Sequence, residues 1–127
     1  MGQQQLLLIV LGVIVVGIAV VVGINLFNAN ATSANRDGVI SDLNNLGAMG
    51  QQYYKKPTSM GGGGNAFTGW TIPTGLDTTA NGTYTKTVAA QTLTLVGTGN
   101  EIGTDGTEKV KATATVTGNS ITVAVDN

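Results

Sequence analysis

The chain divides sharply by where its apolar positions fall. Leu6 to Ile24 reads LLLIVLGVIVVGIAVVVGI without one charged or polar side chain, and Leu26 and Phe27 extend it past Asn25. A run of this length matches the roughly 20 residues that cross a bilayer core as helix. From Ala34 the pattern changes. Val39, Leu43, Leu46, Gly50 and Tyr53 recur at spacings of three and four, with Ile40 and Met49 beside them, which is one face of an amphipathic helix. Arg36, Asp37, Ser41, Asp42, Asn44, Asn45 and Gln51 fill the other faces. Asn35 or Ser33 could cap a fresh start, but no proline interrupts Asn28 to Ser33, so the amphipathic stretch can continue the first helix. Lys55 and Lys56 suit the negative end of a helix dipole, and Pro57 stops the helix. At 1.5 Å per residue, Gln3 to Tyr54 makes a rod of about 75–80 Å.

Beyond Pro57 the period becomes two. Thr83 to Val88 alternates, and Gln91 to Val96 carries Leu93 and Leu95 on one face. Lys109 to Thr117 sets Val110, Ala112, Ala114 and Val116 against Lys109, Lys111, Thr113, Thr115 and Thr117; Ile121, Val123 and Val125 alternate after it. Gly118-Asn119 between the last two runs is a two-residue hairpin signal. An antiparallel sheet with one apolar and one Thr-rich face follows. The amphipathic half of the helix is the one cover long enough for the apolar face, with Val39, Ile40, Leu43, Leu46 and Tyr53 as its contacts. The expected fold is α+β: a long N-terminal helix packed on a C-terminal antiparallel sheet of about four strands. Its expected divisions are the apolar helix over 1–28, the amphipathic continuation over 29–56 and the β-rich domain over 57–127.

Three readings compete for the apolar run. A cleavable secretory signal has a basic start and an apolar core of about 7–15 residues; here no Lys or Arg precedes Leu6 and the core is longer. A plain membrane anchor is the second reading. The third is a helix that first spans the membrane and is later buried among copies of itself. A helix apolar all round must be enclosed on every side, by lipid or by protein. Gly12, Gly17 and Gly23 are not spaced as GxxxG, but they remove volume and let neighbouring helices approach.

Composition narrows the chemistry. The 127 residues contain no Cys and no His, 10% are charged, and the net charge is −1. Disulfides, Cys/His metal sites and His-based catalysis are excluded. Binding nucleic acid through phosphate neutralisation needs clustered Lys and Arg, so no nucleic-acid partner is expected. Met60-Gly61-Gly62-Gly63-Gly64-Asn65 is followed by Ala66-Phe67-Thr68, not by the Lys-Ser/Thr of a phosphate loop. Phe67, Trp70 and Ile72 read as a small apolar cluster that closes the sheet or lies at a subunit contact. The loop Gly97 to Glu108 gathers Asn100, Glu101, Asp105 and Glu108, but its spacing fits no EF-hand and reads as a solvated turn. No G-x-S-x-G elbow is present. No enzyme, cofactor, metal or small-molecule substrate is expected. Asn30-Ala31-Thr32 and Asn81-Gly82-Thr83 are glycosylation sequons, with Asn30 and Asn81 as the acceptors, although Asn81-Gly82 also reads as a turn.

Gly2 followed by Gln3-Gln4-Gln5, the apolar run to Phe27, the amphipathic stretch to Tyr54 and the β-rich remainder together resemble a type IV pilin. The architecture covers the whole chain, the motif its first thirty or so residues. The resemblance implies a leader ending in glycine, cut by a prepilin peptidase, with Gly2 and Gln3 as the processing candidates. It further implies a homopolymeric helical filament at the cell surface. The subunit would reside in the cytoplasmic membrane before a pilus assembly machinery extracts it. The filament core would be built from Gln5, Leu6, Leu7, Leu8, Ile9, Val10, Leu11, Val13, Ile14, Val15, Val16, Ile18, Val20, Val21, Val22, Ile24, Leu26 and Phe27. Bacterial major pilins usually carry a glutamate at the fifth mature position; Leu7 or Gln5 stands there in this chain, as in archaeal and some minor pilins without the acid. Two other functions fit the same residues: a single-pass membrane-anchored surface binding module, and a secretion-system pseudopilin.

Overall fold

The computed structural model of the protein describes residues 2–127. The chain divides between residues 31 and 32 into two compact units. The first is helix alone. The second carries the rest of that helix and the sheet, so the amphipathic stretch and the β-rich residues expected as separate divisions form one body.

Helix α1 runs Gly2–Lys55. In the first unit it is a bare apolar cylinder, with Leu6 to Phe27 exposing every large apolar side chain by 50–73%. This is the one helix among the described residues long and apolar enough to cross a membrane, with a mean hydropathy of 3.3 in its most apolar window. Its many β-branched residues are mediocre helix formers in water. Apolar surroundings reverse that, because backbone groups must then pair within the segment.

In the second unit, α1 lies on a four-stranded antiparallel meander of order β1-β2-β3-β4. The strands are β1 (Gly82–Val88), β2 (Leu93–Ile102), β3 (Lys109–Val116) and β4 (Ile121–Val125). Val39, Leu43 and Leu46 from the helix are buried with Leu93, Leu95, Val110, Ala112, Ala114 and Val116 from the sheet. Ile40 and Tyr53 pack half-buried against this core. Each fully buried Leu or Val contributes about 1.5–3 kcal/mol relative to exposure, so the core gives the sheet its one dry face. Phe67, Trp70 and Tyr84 close one side of it, with the Phe67 and Tyr54 rings 4.8 Å apart. The cluster around Phe67 and Trp70 thus completes the core of this unit.

Two glycines of α1 let the helix approach. A Cβ at Gly50 would lie 2.6 Å from Leu93 Cδ2, and one at Gly47 would lie 3.1 Å from Val116 and Ile121. The threonines Thr83, Thr85, Thr87, Thr94, Thr98, Thr113, Thr115 and Thr122 point to the other face, none of them buried.

The helix ends where expected, and the four-glycine loop explains itself there. Gly63, Gly64 and Asn65 donate their amides to the carbonyls of Tyr53, Lys56 and Tyr54 at 2.8, 3.0 and 2.7 Å. The loop therefore folds back and satisfies carbonyls that every helix C-terminus leaves open. Gly61 and Gly64 have φ of 84° and 60°, a conformation that side chains resist.

Two expected turns differ in detail. The segment 97–108 was expected as one loop, but β2 continues through Ile102. The register between β2 and β3 shifts between Thr98 and Ile102, and in-strand Gly97 and Gly99 give room to Val39 and Asn35 of the helix. At the β3–β4 hairpin, Gly118 and Asn119 do form the turn, closed by Thr117 N donating to Ser120 O at 2.8 Å. Neither has positive φ, so this is no primed turn. Glycine is needed because a Cβ at 118 would lie 2.5 Å from the Tyr54 ring.

Candidate functional site

The largest feature without a partner is the surface of α1 in the first unit. Gly2 and Gln3 to Gln5 stand exposed on its opening turns, and the core candidates from Leu6 to Phe27 follow as an apolar surface broken at Asn25 alone. Nothing lies within 4 Å of the Cβ positions at Gly12, Gly17 and Gly23. Such a surface does no covalent chemistry. It exceeds the few hundred Å² of contiguous apolar patch that a soluble monomer normally exposes, so it requires lipid or protein around it.

The second unit holds one polar cluster that the sequence pattern did not point to. Asp42, on the flank of α1, accepts three side-chain hydrogen bonds at a single oxygen. Thr79 Oγ1, Asn81 Nδ2 and Tyr84 OH donate to Asp42 Oδ2 at 2.8, 3.1 and 2.5 Å. Burial pushes the Asp42 carboxyl up, but the bonds from Tyr84, Asn81 and Thr79 outweigh it and hold the group below its ordinary value. Burial and the neighbouring carboxylate together push the Tyr84 hydroxyl well up. Donors that stabilise the anion lower its pKa, and the same anion disfavours a phenolate beside it. A carboxylate and a phenol locked in these states tie the helix to β1, and Thr79 and Asn81 tie it to the segment before β1; the carboxylate and phenol are not poised for proton transfer at neutral pH. A cavity of about 350 Å³ adjoins them, lined by Asp42, Asn45, Leu46, Met49, Leu76 and others.

The remaining candidates are placed as follows. Asp105 accepts from the backbone amides of Thr107 and Glu108 and from Asn127 Nδ2, and those bonds lower its pKa. It is thus engaged by its own turn and by Asn127, which follows β4. Among the described residues no three acidic side chains converge as metal ligands. Asn30 is exposed on α1. Asn81 is half-buried: its amide nitrogen serves Asp42, its carbonyl accepts from Asn35 Nδ2 at 2.7 Å, and it packs against Gly38. A glycan on Asn81 would be attached at the nitrogen that serves Asp42, in the half-buried contact between helix and turn. The turn at Asn81-Gly82 is present, with Thr79 N donating to Gly82 O at 2.8 Å.

No protein family matches this chain, and no curated protein or solved structure matches it either.

Proposed function

We propose that the protein is a pilin-like structural subunit that polymerises through its apolar N-terminal helix into an extracellular helical filament. The observation that carries this reading is the exposed surface from Leu6 to Phe27, apolar at every position except Asn25, continuous in one helix with a stripe that already covers a small sheet. In the cytoplasmic membrane, lipid encloses that surface. Outside it, the surface must meet equivalent helices, and at roughly 25 cal/mol per Å² their mutual burial becomes the main cohesion of the polymer. A contact between different patches of identical subunits does not close on itself and yields an open helical array. Gln3, Gln4 and Gln5 would provide neutral hydrogen bonds near the helix start, where no acid stands. The Thr-rich sheet face would form a nearly uncharged, water-facing coat. Assembly machinery, and a prepilin peptidase acting at Gly2 and Gln3, would be the transient partners.

Electron microscopy of material sheared from cells expressing the chain tests the reading. Filaments a few nanometres wide that react with antibody to the sheet domain are expected. Recovery solely from detergent-solubilised membrane, as a monomer, overturns it and leaves the membrane-anchored surface module.

A further inference from the structure

On the filament reading just given, we infer that the cavity beside Asp42 receives a lysine side chain from a second copy of the chain, and that this pairing sets the register between neighbouring subunits. The cavity is formed by one flank of α1, where Asp42, Asn45, Leu46, Met49 and Gln52 follow at helical spacing, and by Leu76 of the segment leading into β1. Its chemistry is particular. Asp42 Oδ2 is filled by three donors, all of them neutral. Oδ1 receives no hydrogen bond among the described residues, and no cation contributes to holding the group ionised.

The lining selects among occupants. An anion would face a carboxylate. A purely apolar group would take water from that carboxylate without replacing it, which is costly. An arginine fork is best matched by both carboxylate oxygens, and one is already committed. A primary ammonium offers three donors and accepts none; Asp42 Oδ1 and the side-chain oxygens of Asn45 and Gln52 offer it acceptors. The aliphatic stem of a lysine lies well along apolar walls while its head reaches polar atoms, and Leu46, Met49 and Leu76 are such walls. The chain itself carries exposed Lys55, Lys56, Lys109 and Lys111, whereas Lys86 is occupied with the Trp70 carbonyl at 3.0 Å. A cavity on one copy and a lysine elsewhere on the next form a heterologous contact, the kind that propagates a filament.

The test uses filaments assembled from an equal mixture of light and isotopically heavy full-length chain. A carbodiimide joins a carboxylate to a touching amine as an amide, with loss of water. Mass spectrometry is expected to find Asp42 joined to a lysine peptide in mixed light–heavy pairs. Ala48→Trp, at an exposed position on the cavity wall, should abolish that link. It should also raise the concentration needed for assembly about tenfold or more, while the thermal melt of the sheet domain is unchanged. Wild-type filaments in which Asp42 is unlinked, or linked solely within its own copy, overturn the inference and leave the filament reading standing. Normal assembly by a folded Ala48→Trp chain does the same. A wild-type chain that never assembles overturns both.

Discussion

Asn35 of the helix stands in for a strand partner of Asn100. Its Oδ1 accepts from the amides of Asn100 and Glu101 at 3.0 and 3.2 Å, at the point where β2 slips out of register with β3. A bulge leaves ladder groups unpaired, and here one side chain from another element supplies the missing acceptor.

Asn35→Ala removes the acceptor of two amides at exposed positions, where water can take its place. A net hydrogen bond contributes about 0.5–1.5 kcal/mol, and urea unfolding of the detergent-solubilised chain should show a loss in that range. Asn35→Asp keeps the acceptor but replaces the Nδ2 donor, bonded to Asn81 O at 2.7 Å, with an oxygen facing an oxygen. An intermediate loss is expected. Wild-type stability for Asn35→Asp would show that the bond to Asn81 contributes nothing.

Gly50→Ala should cost about 1–3 kcal/mol through overpacking, because the new methyl meets Leu93 Cδ2 at 2.6 Å. Gly17→Ala is the control, since nothing lies within 4 Å of that position. Thermal melts of the sheet domain should separate the two, with Gly17→Ala indistinguishable from wild type.

The Asp42–Tyr84 pair predicts a pH dependence at both ends. The Asp42 carboxyl is held below 3.8, so its contribution is complete above the ordinary carboxylate range and fades as pH falls through the lower folded value. The Tyr84 hydroxyl is pushed up from 10.0 by burial and by Asp42, so its contribution holds below that pH and fades as pH climbs past it. Both signs follow from proton linkage. In denaturation measured from pH 2 to 11, the gap between wild type and Asp42→Asn should narrow toward the acid end. Tyr84→Phe should remove part of the alkaline loss. A gap that stays constant across the range would show that the pair is not the source.

Val16→Asp places a charge in the middle of the apolar run. An acid at the centre of a spanning helix costs about 2.5–3.5 kcal/mol, and more where no water reaches it. If the proposed filament forms, this substitution should abolish it while circular dichroism still reports the folded sheet. Filaments that persist would mean that this helix is not their core.

The long periodic features are legible in the sequence alone. Val39, Leu43 and Leu46 at helical spacing, and Val110, Ala112, Ala114 and Val116 at strand spacing, name the two sides of the core, because burial imposes its period on the sequence. Gly47 was not legible, since a residue without a side chain leaves no apolar mark; its role appears once Ile121 is seen against it. The reach of β2 through Asn100 was hidden for a related reason. Its glycines read as loop, and its stabilising acceptor lies 65 residues away. The Asp42 cluster escaped because Thr79, Asn81 and Tyr84 share no spacing with Asp42. Tertiary proximity alone joins them, 37 to 42 residues apart.

The sheet is a meander in which each strand pairs with its neighbour in sequence, and that sets an order of events. Hairpins of this kind close on a scale of about microseconds, and their short loops cost little entropy. Laying the stripe of Val39, Leu43 and Leu46 across them bridges a far longer stretch of chain. Helix docking should then be the slow step, with the hairpins formed before the helix settles. While it waits, that stripe is bare, and the same apolar residues that later make the core are the ones a chaperone or another nascent chain would meet.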